Sequence, residues 1–209
     1  MSDDEPRVYL FRAVNVGGAK LPMARLREIA TELGATAVST YIASGNLICV
    51  PPTLRRAAQR PEDYTQGPED STQRAAEGFE RALERAVEEE FGFSREVISR
   101  SADQLKKALA AYPFGTPPDY PEAPSAHICF LAGTPDPARA AEFVARDFGA
   151  GELLAVIGDD LHLAYPGGAG KTKLTPPAIA KGLGYPGTAR NLRTVAKLID
   201  LATAASTTQ

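Results

Sequence analysis

Residues 11–23 read Phe11-Arg12-Ala13-Val14-Asn15-Val16-Gly17-Gly18-Ala19-Lys20-Leu21-Pro22-Met23. This stretch predicts the end of an apolar strand, a diglycine turn and the start of a helix. The helix is expected to begin at Pro22, because proline suits the first helical position. The strand itself is predicted at 8–15, because its residues are branched or aromatic and both alternating faces are apolar. Apolar residues on both faces are typical of a strand that is covered on both sides.

The rest of the first half continues with alternating elements. Apolar spacing predicts a helix at 22–33, strands at 38–42 and 47–50 around a tight turn, a helix at 73–91, a strand at 96–100, and a helix after the capping box at 101–104. The first six elements have the β-α-β-β-α-β order of ferredoxin-like units. Residues 51–72 contain four prolines without apolar periodicity, so we predict a surface loop or disordered insertion there.

The second half repeats this order. Five prolines at 113–124 predict a linker between an N-terminal unit at 1–112 and a C-terminal unit at 125–209. The second unit is predicted to hold a strand at 126–131, a helix at 135–148, a hairpin at 153–157 and 161–164, a helix at 175–184, a strand near Thr188, a helix at 193–202 and a frayed tail at 203–209. We therefore predict an α+β fold, a tandem of two ferredoxin-like (alpha-beta plait) βαββαβ units packed together.

Composition restricts the function classes. The 209 residues are 44% hydrophobic and 23% charged, with a formal net charge of −3, which is unlike a protein that coats nucleic acid or anionic membrane. No apolar run approaches the roughly 20 residues of a spanning helix, and the acidic N-terminus is unlike a signal peptide. We expect a cytoplasmic protein without membrane association, with Cys49 and Cys129 as buried thiols.

Three stretches, in this order, resemble a known family. They are Arg12-Ala13-Val14-Asn15-Val16-Gly17-Gly18 with Leu21-Pro22-Met23, Tyr41-Ile42-Ala43-Ser44-Gly45-Asn46, and Thr188-Ala189-Arg190-Asn191-Leu192-Arg193-Thr194-Val195. Together they resemble the bacterial domain of unknown function 1697. The resemblance implies two alpha-beta plait units and no particular activity. Ala13, Ala43 and Leu192 stand where glycine, glutamine and tryptophan are usual in that family.

Glycine, asparagine and basic residues concentrate at two helix starts and two turns. Free backbone N–H groups and the helix dipole at such a start can receive an anion. The predicted ligand-binding residues are Arg12, Asn15, Gly17, Gly18, Lys20, Ser44, Asn46, Lys171, Lys173, Arg190 and Asn191. The alternative for the diglycine is a conformationally demanding turn, and the alternative for Asn191 is a simple helix cap.

The glycine-rich run at 167–173 is not a Walker loop. Tyr165 stands where the first glycine of that motif is required, and the next helix begins only after Thr175. A looser basic loop that contacts phosphate or carboxylate and a flexible surface loop are both open interpretations. We expect no cofactor.

Residues with familiar catalytic spacing are absent from the sequence. Ser44 lacks the G-x-S-x-G context and a nearby histidine, so whether the protein is an enzyme stays open. Asp160 and His162 alternate onto one strand face but lack an identifiable third ligand, and we expect no metal. The leading hypothesis is a binding protein for a small anionic ligand or nucleotide. The rival is an RNA-binding or protein-interaction module, and the sequence does not give the oligomeric state.

Overall fold

The computed structural model describes residues 5–52, 68–115, 126–166 and 172–207. It divides into two compact units, one formed by Met1–Ala102 with Asp200–Gln209 and the other by Asp103–Ile199. The part described contains six helices and eight strands in two four-stranded antiparallel sheets. The α+β class is therefore confirmed. The sequence-predicted division at 1–112, 113–124 and 125–209 stays a prediction about domain boundaries.

The first unit follows the predicted element order. Its elements are β1 (Arg7–Phe11), α1 (Met23–Glu32), β2 (Thr36–Tyr41), β3 (Asn46–Val50), α2 (Pro68–Phe91) and β4 (Val97–Ser101). The strands lie in the order β2-β3-β1-β4, with every neighbouring pair antiparallel. β1 is thus a central strand, which explains why all five of its residues are buried.

The core of the first unit lies between one face of this sheet and the two helices. Tyr9 and Leu47 of the sheet pack with Leu26 of α1 and with Phe79 and Leu83 of α2. The rings of Tyr9 and Phe79 meet edge to face, with their centroids 5.1 Å apart. Burial of these large side chains stabilises the unit by about 1.5–3 kcal/mol each.

The outer edge of β4 is occupied by two carboxylates of α2. Glu80 accepts a hydrogen bond from the N–H of Ser99 (2.6 Å), and Glu84 accepts one from the N–H of Val97 (2.8 Å). The spacing fits because four helical residues rise by about 6 Å and two strand residues by about 6.7 Å. Arg7 also donates to the Ser99 hydroxyl, at 3.3 Å. These bonds satisfy N–H groups that an edge strand otherwise presents to other chains.

The second unit contains a sheet of the same strand order. The elements that follow β4 are α3 (Ala102–Ala110), β5 (Ala126–Leu131), α4 (Pro137–Val144), β6 (Leu153–Ile157), β7 (Asp160–Ala164), α5 (Pro176–Leu183), β8 (Gly187–Asn191) and α6 (Leu192–Thr207). The strand order is β6-β7-β5-β8, so β5 takes the central place that β1 has in the first unit.

Helix caps in the second unit explain where α4 and α5 begin and end. Asp136 accepts hydrogen bonds from the N–H groups of Ala138 and Arg139, both at 3.0 Å, and Thr175 accepts one from Ala178 at 3.3 Å. Gly184 ends α5 in a left-handed conformation, with φ of +85°, which glycine adopts at low cost. α4 and α5 then pack Phe143 and Leu183 against one face of the sheet.

Several predicted boundaries are wrong for physical reasons. β1 ends at Phe11 rather than Asn15, because Ala13 and Asn15 have positive φ values of 51° and 57°, which a strand does not accommodate. α4 is shorter than predicted and ends at Val144, and α2 begins at Pro68, inside the predicted insertion. The rest of that insertion, 53–67, and most of the predicted linker, 116–124, lie outside the described residues. α6 continues to Thr207, where a frayed tail was predicted.

Candidate functional site

Arg12 lies directly after β1 and pairs with Glu96, which directly precedes β4. Its Nη1 lies 3.0 and 2.9 Å from the two carboxylate oxygens of Glu96, and its backbone N–H donates to the Glu96 carbonyl at 3.0 Å. Burial alone raises the pKa of Glu96, but its backbone hydrogen bond, the Arg12 side chain and the charge of Arg95 hold it below its ordinary value. Arg12 is thus paired with a residue that adjoins the neighbouring strand of the same sheet.

Asn15 holds the glycine turn to the β2–β3 turn. Its side-chain amide donates to the carbonyls of Leu21 (3.0 Å) and Ala43 (2.6 Å), while its carbonyl oxygen accepts from the Leu21 N–H at 2.9 Å. The first and second family-like stretches therefore lie side by side. We use the name loop cluster for residues 12–21, 42–46 and 94–96, the last segment joined through Arg95, whose Nε donates to the Ala13 carbonyl at 3.2 Å.

Left-handed backbone is concentrated in the loop cluster. Six residues have φ between +48° and +92°, namely Ala13, Asn15, Gly17, Gly18, Ile42 and Gly45. A β-branched residue such as Ile42 rarely adopts positive φ, and strained backbone of this kind often occurs at functional sites. Ala13 occupies a conformation that glycine prefers, which accounts for the glycine that is usual at this position.

The β2–β3 turn is packed tightly against the end of β1. A Cβ added to Gly45 would lie 2.5 Å from Cγ2 of Val14 and 2.7 Å from Cβ of Phe11. Asn46 is fully buried, and its amide donates to the Tyr41 carbonyl (2.9 Å) and the Ser44 hydroxyl (3.0 Å). These bonds give Ser44 and Asn46 a framework role within the turn.

The diglycine side of the loop cluster presents hydrogen-bond donors to solvent. Within the described ranges, the backbone N–H groups of Val16, Gly17 and Gly18 donate no hydrogen bond. The start of α1 follows at once, and its N-cap residue, Pro22, supplies no side-chain acceptor to the first turn. The exposed Lys20 lies between the two. This arrangement can receive an anion.

Two large apolar side chains are exposed on the same loops. Val16 is 59% exposed and Ile42 is 49% exposed. Each is the sequence neighbour of a residue in the hydrogen bond between Asn15 and Ala43, so their backbones lie close together. Apolar groups at the tips of two joined turns are a feature of contact surfaces.

The remaining predicted site residues belong to the second unit or lie outside the described residues. Arg190 is 7% exposed and donates to the Thr188 hydroxyl (2.7 Å) and the Ala189 carbonyl (2.9 Å), and burial lowers its pKa to about 10. Asn191 caps α6 by accepting from the Thr194 N–H at 2.7 Å. Lys173 is exposed. Lys171 lies outside the described residues, as does the glycine run from 167 to 170.

Sequence reasoning missed two residues of the loop cluster. Glu96 and Arg95 are more than 80 positions from Arg12 and Ala13, and only the pairing of β1 with β4 brings them there. His162 was considered with Asp160 as a possible metal ligand, but its burial was not predicted. It is fully buried and lies on the sheet face opposite the helices α4 and α5, as the packing of its neighbours Leu161 and Leu163 indicates.

The described residues contain no group of three or more His, Cys, Asp or Glu side chains placed to hold a metal ion. Both cysteines are free and buried, and burial raises the pKa of the Cys49 thiol. Among the helices that the structure describes, none combines the length and the apolar character needed to cross a membrane.

The sequence matches the profile of a family described as "Protein of unknown function (DUF1697)" at residues 5–62 and 69–161. The chain belongs to the DUF1697 family. The matched residues include the whole loop cluster, whereas the third family-like stretch, 188–195, lies beyond them.

One solved structure is similar in fold to this DUF1697 protein. A conserved bacterial protein from Streptococcus pneumoniae is similar, with a TM-score of 0.61 and 19% sequence identity. The similarity covers 95% of this chain and 98% of that one, and at this identity it concerns the fold alone. No curated protein matches the sequence significantly.

Proposed function

We propose that this DUF1697 protein binds a small anionic ligand, such as a phosphometabolite or nucleotide, at the loop cluster of its first unit. The observation that carries the proposal is the row of free N–H donors at Val16, Gly17 and Gly18 beside the uncapped start of α1. Donors of this kind bind phosphate and carboxylate oxygens without a dedicated side chain.

Local charge supports an anionic ligand. The loop cluster contains three cationic side chains, Arg12, Lys20 and Arg95, and one carboxylate, Glu96. The local excess is therefore two positive charges, although the whole chain has a formal net charge of −3. A confined positive region of this kind attracts a small anion without making the protein a general polyanion binder.

The other predicted residues divide by role. In the proposal, Asn15, Ser44 and Asn46 fix the shape of the loop cluster through their internal hydrogen bonds. Low mobility of the turns reduces the entropy that binding costs. Lys171, Lys173, Arg190 and Asn191 remain a separate ligand-binding prediction for the second unit.

We also infer that each sheet with its helices is a ferredoxin-like unit. The βαββαβ element order and the strand orders β2-β3-β1-β4 and β6-β7-β5-β8 support this inference. The two free cysteines support the expected cytoplasmic location, since reduced thiols are usual in that compartment.

A thermal-shift screen tests the proposed ligand class. Inorganic pyrophosphate and a panel of nucleotides are each added at up to 10⁴-fold excess over protein, at low ionic strength. A ligand at 100 times its dissociation constant stabilises the folded state by about 2.7 kcal/mol, which raises Tm by about 5–11 °C for a chain of this size. No shift with any member of the panel would count against the proposal.

Paired lysine variants locate the binding. Lys20→Gln is expected to weaken binding about fivefold, the effect of one exposed ion pair of about 1 kcal/mol. Lys107→Gln is the matched control, since Lys107 is also exposed but lies on α3 in the second unit. Equal affinities for the two variants would place the anion elsewhere.

A second candidate function is protein interaction through Val16 and Ile42. Their exposure of 59% and 49% at joined turns favours it. Replacing Ile42, which is not one of the three proposed N–H donors, with serine should weaken such an interaction while leaving pyrophosphate binding intact. RNA binding at the same surface is tested by fluorescence anisotropy with single-stranded RNA at increasing salt concentration. Phosphate contacts predict that the affinity for RNA falls steeply as the salt concentration rises.

A further inference from the structure

His162 is a buried histidine without a hydrogen-bond partner for either ring nitrogen in the described part of the chain. Native proteins satisfy the great majority of buried polar side-chain atoms, so an exception requires an explanation. Its ring packs against the Tyr112 ring, with the centroids 5.9 Å apart. The ring of Tyr112, in the segment after α3, is thus one of the groups that cover the imidazole.

Tyr112 fixes that segment to the sheet. Its hydroxyl donates to the carbonyl of Leu163, the residue after His162, at 2.9 Å. Its ring also meets Phe114 edge to face, with the centroids 5.5 Å apart. The hydroxyl bond and the ring contact with His162 are thus two attachments of residues 111–115 to β7.

We propose that His162 and Tyr112 form an acid-sensitive latch, in which protonation of His162 displaces Tyr112 and releases residues 111–115 from β7. A charged imidazole in this position would have two N–H donors, and no described residue accepts a hydrogen bond from either ring nitrogen. In the proposal, displacement of the Tyr112 ring gives the charged imidazole access to water. The cost of burying an unpaired charge therefore favours the released form at low pH.

The strands of the second sheet carry two charged residues on the face of His162. On its own strand, Asp160 shares the same sheet face, two residues away. The facing residues of the neighbouring strands are Ala155 on β6 and Ile128 on β5, both uncharged. Beyond β5, Arg190 pairs with Ile128 and also shares the face.

On the α3 side, Tyr112 brings an ionisable hydroxyl on a ring that lies 5.9 Å from the His162 ring. The charged residues of α3, namely Asp103, Lys106 and Lys107, are all exposed. Burial lowers the pKa of His162 from its ordinary 6.5 to about 4. Because the pKa in the folded state is the lower one, the latched form is fully favoured above pH 6.5 and loses that advantage as the pH falls towards 4.

The chain contains two histidines, so proton NMR of the imidazole Cε1–H signals gives two resolvable titrations. His162→Phe removes one signal and assigns both. We expect the His162 signal to titrate with a midpoint near pH 4, and the amide signals of Tyr112, Phe114 and Gly115 to shift with the same midpoint. Far-UV circular dichroism should keep its native amplitude through this range.

Variants separate the latch from general acid unfolding. His162→Phe keeps an aromatic ring against Tyr112 but cannot be protonated, so the amide signals of Tyr112, Phe114 and Gly115 should no longer shift near pH 4. His162→Gln is a second non-titrating variant with a polar side chain. Tyr112→Phe loses the bond to the Leu163 carbonyl and should release the segment at a higher pH.

Three results would overturn the proposal. One is a His162 midpoint near 6.5 with unchanged signals for residues 112–115. Another is the same acid transition in both His162 variants. The third is loss of the far-UV signal at the same pH as the shift at residues 112–115, which would mean unfolding rather than release.

Discussion

Gly45→Ala is the sharpest test of how the loop cluster is built. The new Cβ would lie 2.5 Å from Cγ2 of Val14 and 2.7 Å from Cβ of Phe11, at a φ of +77°. Left-handed backbone costs a non-glycine residue about 1–2 kcal/mol, and overpacking costs about 1–3 kcal/mol. Alanine also reduces the conformational entropy of the unfolded chain, which stabilises the folded state by about 0.4–1 kcal/mol. We expect a loss of about 3 kcal/mol of unfolding free energy.

The assay is thermal denaturation followed by circular dichroism. A loss of about 3 kcal/mol lowers Tm by about 6–12 °C in a chain of this size. Gly17→Ala is the matched control, since Gly17 also has positive φ (+58°) but nothing lies within 4 Å of an added Cβ. The control should lose about 1 kcal/mol or less. Equal losses for the two variants would refute the argument that close packing, and not φ alone, requires glycine at position 45.

Three further predictions concern single residues. Ala13→Gly relieves the backbone at φ of +51°, so Tm should stay equal or rise by about 2 °C, and a fall of several degrees would contradict this. Arg12→Ala should lower the unfolding free energy by only about 0.5–1 kcal/mol at pH 7, since the Glu96 side chain is 47% exposed. Because the pKa of Glu96 is lowered, the difference in unfolding free energy from wild type should vanish as the pH falls through that pKa, which urea titrations can measure. A difference that stays constant with pH would exclude this ion pair as its cause. Cys49 and Cys129 are buried, so Ellman's reagent should label neither in the native protein and both in denaturant, whereas rapid native labelling would show that a thiol is accessible.

Much of the fold could be predicted because its signals are local. The strand at Ala126–Leu131 was predicted to the residue, as was the first strand of the following hairpin, Leu153–Ile157. Apolar runs bounded by turn residues carried both predictions. The N-cap role of Thr175 was likewise readable from the two prolines that follow it.

The errors in the fold arose where local propensity misleads. Val14 and Asn15 continue an apolar run, but left-handed φ values at Ala13 and Asn15 end the strand at Phe11. The tail after Ala202 is polar at Thr203, yet alanines good for helix extend α6 to Thr207.

The candidate site was predictable only in part. Glycines and asparagine at 15–18 and 44–46 marked the two turns, and the hydrogen bond from Asn15 to Ala43 brings those turns together. The ion pair between Arg12 and Glu96 spans 84 positions, and no short-range pattern encodes such a distance. Likewise, the environment of His162 depends on Tyr112, 50 positions earlier in the chain.

The carboxylates of Glu80 and Glu84 have a consequence for how the chain is made. Both residues precede β4 in the sequence, so the ribosome finishes the covering helix before the strand whose edge it covers. Ser99 is synthesised 15 residues after Glu84, or about 1–3 s later at a translation rate of roughly 5–20 residues per second. The Glu80 and Glu84 carboxylates, which accept hydrogen bonds from β4, are therefore already synthesised when β4 emerges. Once α2 lies against β4, these N–H groups are no longer available to pair with a strand of a neighbouring chain.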